Sequence, residues 1–189
     1  MAPNLTPNFE KKTTFLLLDR DGVINEERPN YVLDWSEFVF KRDFLDNVSV
    51  YSKNFDKILV VTNQSCVGRG LLSREKLDTI HKKMIEAVQD AGAQIDKVYY
   101  SSGFDESDPE RKPGTGMIDL IQADYPEFRS HNAYMVGNRI TDMEFAKKSL
   151  MTSIHYTNNN AEDEVGFGLV DWRLDSWSGF EELVSKLNL

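Results

Sequence analysis

Short unbroken apolar runs alternate along this chain with stretches whose apolar residues recur at helical spacing. Thr14–Leu18 (TFLLL), Lys57–Val61 (KILVV), Lys97–Tyr100 (KVYY) and Ala133–Val136 (AYMV) have the continuity of strands covered on both faces. Thr152–Tyr156 and Gly168–Val170 are weaker candidates of the same kind. Between them, Phe44–Lys53 repeats Leu45, Val48 and Tyr51 at helical spacing. Ser73–Asp90 carries the clearest stripe, with Leu77, Ile80, Met84, Ile85 and Val88 on one side. Ser73 and Lys76 do not make a capping box. Met117–Tyr125, Asp142–Leu150 and Ser178–Leu187 complete the expected helices. Strands alternating with helices predict an α/β fold, a Rossmann-like three-layer sandwich around a mostly parallel sheet. Such a fold places its site at the carboxyl ends of the strands.

Composition narrows the function classes. The 189 residues, 40% hydrophobic and 28% charged, suit one soluble domain with a full core. A polar stretch with two prolines, residues 1–12, reads as a loose tail before a single domain over residues 13–189. The net charge of −9, with Lys and Arg scattered among the acids, argues against a nucleic-acid partner. A lone cysteine, Cys66, excludes an intrachain disulfide and a multi-thiolate zinc site. The opening MAPNLTPNFEKK has no apolar segment of signal-peptide length, and no run approaches the roughly 18 apolar residues of a membrane span. The expected protein is therefore cytoplasmic, monomeric and free of membrane.

Four polar motifs follow predicted strands or open predicted helices. Asp19-Arg20-Asp21-Gly22 comes directly after FLLL. Two carboxylates so spaced at a strand end repel unless a cation sits between them, and Mg²⁺ is the oxygen-seeking ion that suits them. One carboxylate can then attack phosphorus while the other moves protons. An acidic loop with a glycine turn is the alternative. Thr62-Asn63-Gln64-Ser65, after KILVV, offers hydroxyl and backbone donors to phosphoryl oxygens, although such residues are common in any loop. Arg111-Lys112-Pro113-Gly114 supplies a cation for phosphate, or is an exposed basic turn. Gly137-Asn138-Arg139-Ile140-Thr141-Asp142, after AYMV, can close a metal shell, with Asp142 near the start of the next helix.

In this order the motifs resemble those of the haloacid dehalogenase-type phosphatases, from about Leu16 to Leu150. Within that superfamily, LLDRDGVIN, VVTNQSCVGRG, RKPGTGM and YMVGNRITDMEFA are similar to the D-glycero-D-manno-heptose 1,7-bisphosphate and histidinol phosphatases. The resemblance implies a capless domain with a short flap within Glu26–Arg42, bound Mg²⁺, and a small phosphate ester as substrate. It implies Asp19 as nucleophile, Asp21 as general acid and base, Thr62 in the phosphate loop and Lys112 as the neutralising cation. Asn63, Arg69, Arg111 and Arg139 are the implied phosphate- or substrate-binding residues. The implied metal set is Asp19, Asp21, Asn138 and Asp142. Three departures stand out. Asn138 occupies a position where the family usually has Asp, so the site lacks one charge and metal affinity is expected to fall. Ser101–Glu110 holds neither Cys nor His, so the zinc loop of many relatives is not expected. Cys66 stands where relatives often have glycine, and reads as a small packed side chain.

Other residues carry less. His81, His131 and His155 fall in no motif and are expected to be structural or exposed. Trp35, Trp172 and Trp177 read as packing, with Trp35 in the flap also able to cover a ligand. Asn158–Glu164 reads as a solvated loop, and Glu26 and Glu27 as flap surface or as contacts to a polyol or amine. Three functions follow: a Mg²⁺-dependent phosphomonoesterase on a sugar bisphosphate or histidinol phosphate, a weakened phosphate-binding homologue, and a nucleic-acid end phosphatase.

Overall fold

The computed structural model describes residues 12–158, 165, 166 and 168–187. The expected tail falls almost wholly outside that range, as does most of the Asn158–Glu164 loop. Six strands form one parallel sheet: β1 (Phe15–Leu18), β2 (Lys57–Asn63), β3 (Lys97–Ser101), β4 (Ala133–Gly137), β5 (Thr152–Tyr156) and β6 (Trp172–Leu174). Their order is β3-β2-β1-β4-β5-β6, with every neighbouring pair parallel. The direction of winding reverses between β1 and β4, which opens a crevice at the carboxyl ends of these two strands.

The helices are α1 (Arg42–Asn54), α2 (Ser65–Gly68), α3 (Arg74–Asp90), α4 (Gly116–Asp124), α5 (Ile140–Lys148) and α6 (Phe180–Leu187). Alternate β1 side chains feed two separate cores. Leu16 and Leu18 join Phe44, Leu77, Met84 and Phe180, and so pack α1, α3 and α6 on one face. Phe15 and Leu17 join Met117, Ile121, Phe145 and Ala146, and so pack α4 and α5 on the other. The sheet is thus buried on both faces, which is why its strands read as continuous apolar runs rather than alternating ones.

Helix boundaries depart from the pattern by a residue or two, with physical reasons. Ser73 is outside α3 and caps it, its Oγ accepting from Lys76 N (3.3 Å). Helix α5 opens at Ile140, because Asp142 is its third residue and folds back onto the backbone N–H of Arg139 (3.0 Å). Arg42, expected to end the flap, instead begins α1. The last strand is displaced: Gly168–Val170 is not extended, since Gly168 turns at φ +99° and Leu169 N–H bonds back to Gly166. Pairing with β5 begins only at Trp172. Helix α2 went unforeseen, being a single turn with no apolar period to reveal it.

The flap closes on itself at its base, where Asn25 bridges Phe40 and Glu26 N–H bonds Val39 O (2.8 Å). Trp177 anchors that base from the far end of the chain. Its indole packs against Phe44, Tyr51, Tyr156 and Phe180, and Nε1 donates to Val23 O (2.9 Å). Trp35 stacks on Phe38 and lies away from the crevice, so it covers no ligand there. No helix of the described residues is long and apolar enough to cross a membrane.

Candidate active site

The crevice is a pocket of about 800 Å³, its floor formed by the loops after β1, β2 and β4. Strand register assembles it. Leu18 pairs with Val60 on one side and Val136 on the other, and Asp19 N–H continues the ladder to Val136 O (2.9 Å). Asp19 therefore emerges between the Thr62 loop and the Gly137 loop.

Lys112 lies beneath Asp19, almost wholly buried. Its ammonium is 2.9 Å from Asp19 Oδ1, 2.6 Å from Asp142 Oδ1 and 2.7 Å from Val61 O. Burial alone would lower the lysine, but Asp142 and Asp19 together raise it above its ordinary value. Burial lifts the Asp19 carboxyl to about 6, against the pull of Lys112. Asp142 spends Oδ1 on Lys112 and Oδ2 on the Arg139 backbone.

Asp21 is held differently. Arg20 Nη2 donates to both its oxygens (3.0 and 2.9 Å), Asn25 Nδ2 to Oδ1 (3.0 Å) and Gln64 Nε2 to Oδ2 (2.8 Å). Burial opposes ionisation, yet Arg20 and these amides together keep the carboxyl below its usual range. Arg20 is itself buried, with Nη1 3.2 Å from His81 Nε2 on α3. Burial, and then Arg20, push the imidazole down to about 3. The neutral ring therefore accepts at Nε2.

Arg20, His81 and Gln64 were not among the expected site residues. A signal existed for His81, one residue after Ile80 on the buried stripe of α3, where a histidine needs a polar partner. Replacing His81 by Leu is expected to destabilise the protein by about 1–3 kcal/mol, by leaving a buried guanidinium N–H without its acceptor. Urea unfolding measures it, and an unchanged midpoint would show that Arg20 does not rely on this contact.

The remaining candidates divide. Thr62 is buried at the floor, with Oγ1 3.0 Å from Gln64 Nε2. Asn63 reaches the pocket wall, but its amide clasps the Lys112 backbone through two bonds (3.0 and 2.9 Å). It thereby fixes the lysine's approach and leaves its side chain already engaged. Arg111 and Arg139 line the pocket, Arg111 donating to Gly103 O (3.1 Å). Arg69 does not belong to the pocket wall: α2 carries it past the crevice, and its guanidinium lies over the Phe104 ring at 5.5 Å. Cys66 is fully buried and its thiol is pushed up by burial, so it is packing and not a nucleophile.

Asn138 lines the pocket beside Gly22. Its Nδ2 donates to Glu27 Oε2 (2.7 Å), while its Oδ1 is buried with no hydrogen-bond partner among the described residues. Glu26 turns the other way, to the buried Lys41 (3.0 Å). Among the described residues no three His, Cys, Asp or Glu side chains are grouped as for a metal ion. A cation here would depend on amide and backbone oxygens beside Asp19. The orphaned Asn138 oxygen fits that need.

A family model described as polynucleotide kinase 3 phosphatase matches residues 17–161. A D-glycero-β-D-manno-heptose-1,7-bisphosphate 7-phosphatase of Neisseria meningitidis serogroup A is 30% identical over 130 residues, covering 68% of this chain and 69% of the relative. The protein of that name from Escherichia coli K12 is 27% identical over 185 residues, 93% of this chain and 96% of the relative. Among solved structures, the D,D-heptose 1,7-bisphosphate phosphatase of B. bronchiseptica, complexed with magnesium and phosphate, shares the fold. Its TM-score is 0.80 at 23% identity, over 93% of this chain and 99% of its own. The chain is thus a phosphatase, and belongs to the polynucleotide kinase 3 phosphatase family of haloacid dehalogenase-like enzymes.

Proposed function

We propose that this phosphatase is a Mg²⁺-dependent phosphomonoesterase acting on a small sugar bisphosphate, with Asp19 as the nucleophile. The observation that carries the reading is the Lys112 ammonium 2.9 Å from Asp19, buried at the floor of a pocket at the β1–β4 switch point. Mg²⁺ would be held by Asp19, the backbone carbonyl of Asp21 and Asn138 Oδ1, and when bound it supplies positive charge to the phosphoryl oxygens. In this reading Asp142 is not a metal ligand, because both its oxygens serve protein donors.

Asp19 Oδ attacks phosphorus, the bond from phosphorus to the ester oxygen breaks, and the aspartate carries the phosphoryl group. Lys112 offsets charge on the nucleophile from below, and Thr62 presents its hydroxyl at the same floor. Asp21, an acceptor of four hydrogen bonds, is set to take a proton from the water that hydrolyses the aspartyl phosphate. To protonate the leaving oxygen in the first half it must exchange one of those donors for its own proton. Arg28, Arg111 and Arg139 line the pocket and suit a second anionic group on the substrate. The pocket volume falls in the small-metabolite range.

A second reading, removal of a terminal phosphate from a polynucleotide, draws on the family description. The net charge of −9 weighs against it. The test is phosphate release from heptose 1,7-bisphosphate, histidinol phosphate and a 3′-phosphorylated oligonucleotide, with Mg²⁺ and with EDTA. Release is expected only with Mg²⁺, and fastest from the sugar bisphosphate. Preference for histidinol phosphate would change the substrate but keep the chemistry. Fastest release from the oligonucleotide, falling steeply with salt, would favour the second reading. Silence on all three, with activity in Asn138→Asp, would identify a weakened homologue.

A further inference from the structure

The contact between Glu27 and Asn138 bridges flap and fourth motif directly beside the cation site proposed above. Glu27 presents two oxygens. One accepts from Asn138 Nδ2 (2.7 Å), and the other pairs with Arg139 Nη2. A carboxylate only accepts, so it fixes the amide's orientation: Nδ2 faces Glu27 and Oδ1 faces away. That second oxygen is the buried, unpartnered one. Gly22 leaves the space that the pair occupies. It turns at φ +85°, and a Cβ there would fall 2.2 Å from Asn138 Nδ2 and 2.9 Å from Glu27 Oε2. Only glycine leaves room for the two side chains to meet against the Asp21-Gly22 backbone.

From this geometry we infer that Glu27 supplies the cation site with the carboxylate charge that Asn138 lacks, and orients Asn138 so that its oxygen faces the cation. The inference rests on the Mg²⁺ reading above. An amide at 138 brings a dipole but no charge, whereas Glu27 Oε2 lies in contact with that amide. Arg139 pairs with the other oxygen of the same carboxylate and offsets part of its charge, while Oε2 stays turned to the amide. The two positions are also exclusive. An Asp at 138 would set its carboxylate against Glu27 at hydrogen-bond distance, with no proton between them, and like charges would force the pair apart. Amide at 138 and acid at 27 therefore form one unit.

The test is the Mg²⁺ dissociation constant, by titration calorimetry without substrate, for the wild type, Glu27→Gln, Asn138→Asp and the double variant. Glu27→Gln is expected to weaken Mg²⁺ roughly tenfold or more, as loss of a residue supporting a metal ligand does. In the Asn138→Asp background the same change is expected to leave affinity equal or tighter, since it removes a repulsion. Thermal unfolding in EDTA checks that each variant keeps the fold. Equal affinity of wild type and Glu27→Gln, or an equal loss in both backgrounds, would overturn the inference and leave the phosphatase reading intact. If the wild type bound no Mg²⁺ at all, both would fall together.

Discussion

Replacing Asp19 by Asn is expected to abolish phosphate release, by at least about 10³-fold, while making the metal-free protein more stable at neutral pH. The first effect follows from chemistry, since an amide oxygen cannot take the phosphoryl group as a carboxylate does. The second follows from burial. The Asp19 carboxyl is raised from 3.8 to about 6 in the folded protein. The folded state thus holds a proton that the unfolded chain releases between about pH 4 and 6. Its stabilising contribution is complete below the lower value and is lost as pH rises through the upper one. At pH 7 wild type carries a buried charge that the Asn variant lacks, a difference of roughly 3 kcal/mol at most. Urea unfolding in EDTA should show the two proteins alike near pH 4 and diverging toward pH 7. Added Mg²⁺ should narrow the gap by binding the folded wild type. A gap indifferent to pH would mean that Asp19 does not carry this burden. Undiminished phosphate release would remove it as the nucleophile.

Lys112→Met is expected to have the largest effect on stability. The ammonium sits between Asp19 and Asp142, at 2.9 and 2.6 Å, and all three side chains are buried. Removing it leaves two carboxylates facing each other in a low-dielectric floor. Breaking a buried pair in this way costs about 3–5 kcal/mol, most of it from the charge left unpaired. The loss has a pH signature. Without Lys112 the Asp19 carboxyl loses the charge that opposes its rise, so folding takes up a proton and the deficit shrinks as pH falls from 7 toward 5. Denaturant midpoints at the two values measure this, and a deficit that grew on acidification would refute the account. Phosphate release should fall too, since Asp19 loses its partner.

Much of this architecture was already visible along the chain. Strands β1, β2, β3 and β4 read as apolar runs because the sheet is covered on both faces, while β5 reads more weakly, its Ser153 and His155 being buried polar residues. The motif residues sit directly after them, and that proximity alone placed Asp19, Thr62 and Asn138 at one end of the sheet. The last strand was misread because Gly168 and Leu169 look apolar and extended, while a left-handed glycine turns the chain there. Arg69 was misplaced because the single turn of α2, which has no periodicity, decides which way it points.

What the order of residues determined by itself was the fold class, the strand ends and the chemistry-bearing types gathered at them. Those depend on local periodicity and on spacing within a few residues. The tertiary structure alone decided which polar groups engage each other. Asn63 clasps the Lys112 backbone across 49 residues, His81 meets Arg20 across 61, and Glu27 meets Asn138 across 111. Each pairing depends on how crossovers bring distant loops to the same strand ends, and on the buried donors there finding acceptors. No local pattern encodes that, because the partner is chosen by proximity in space.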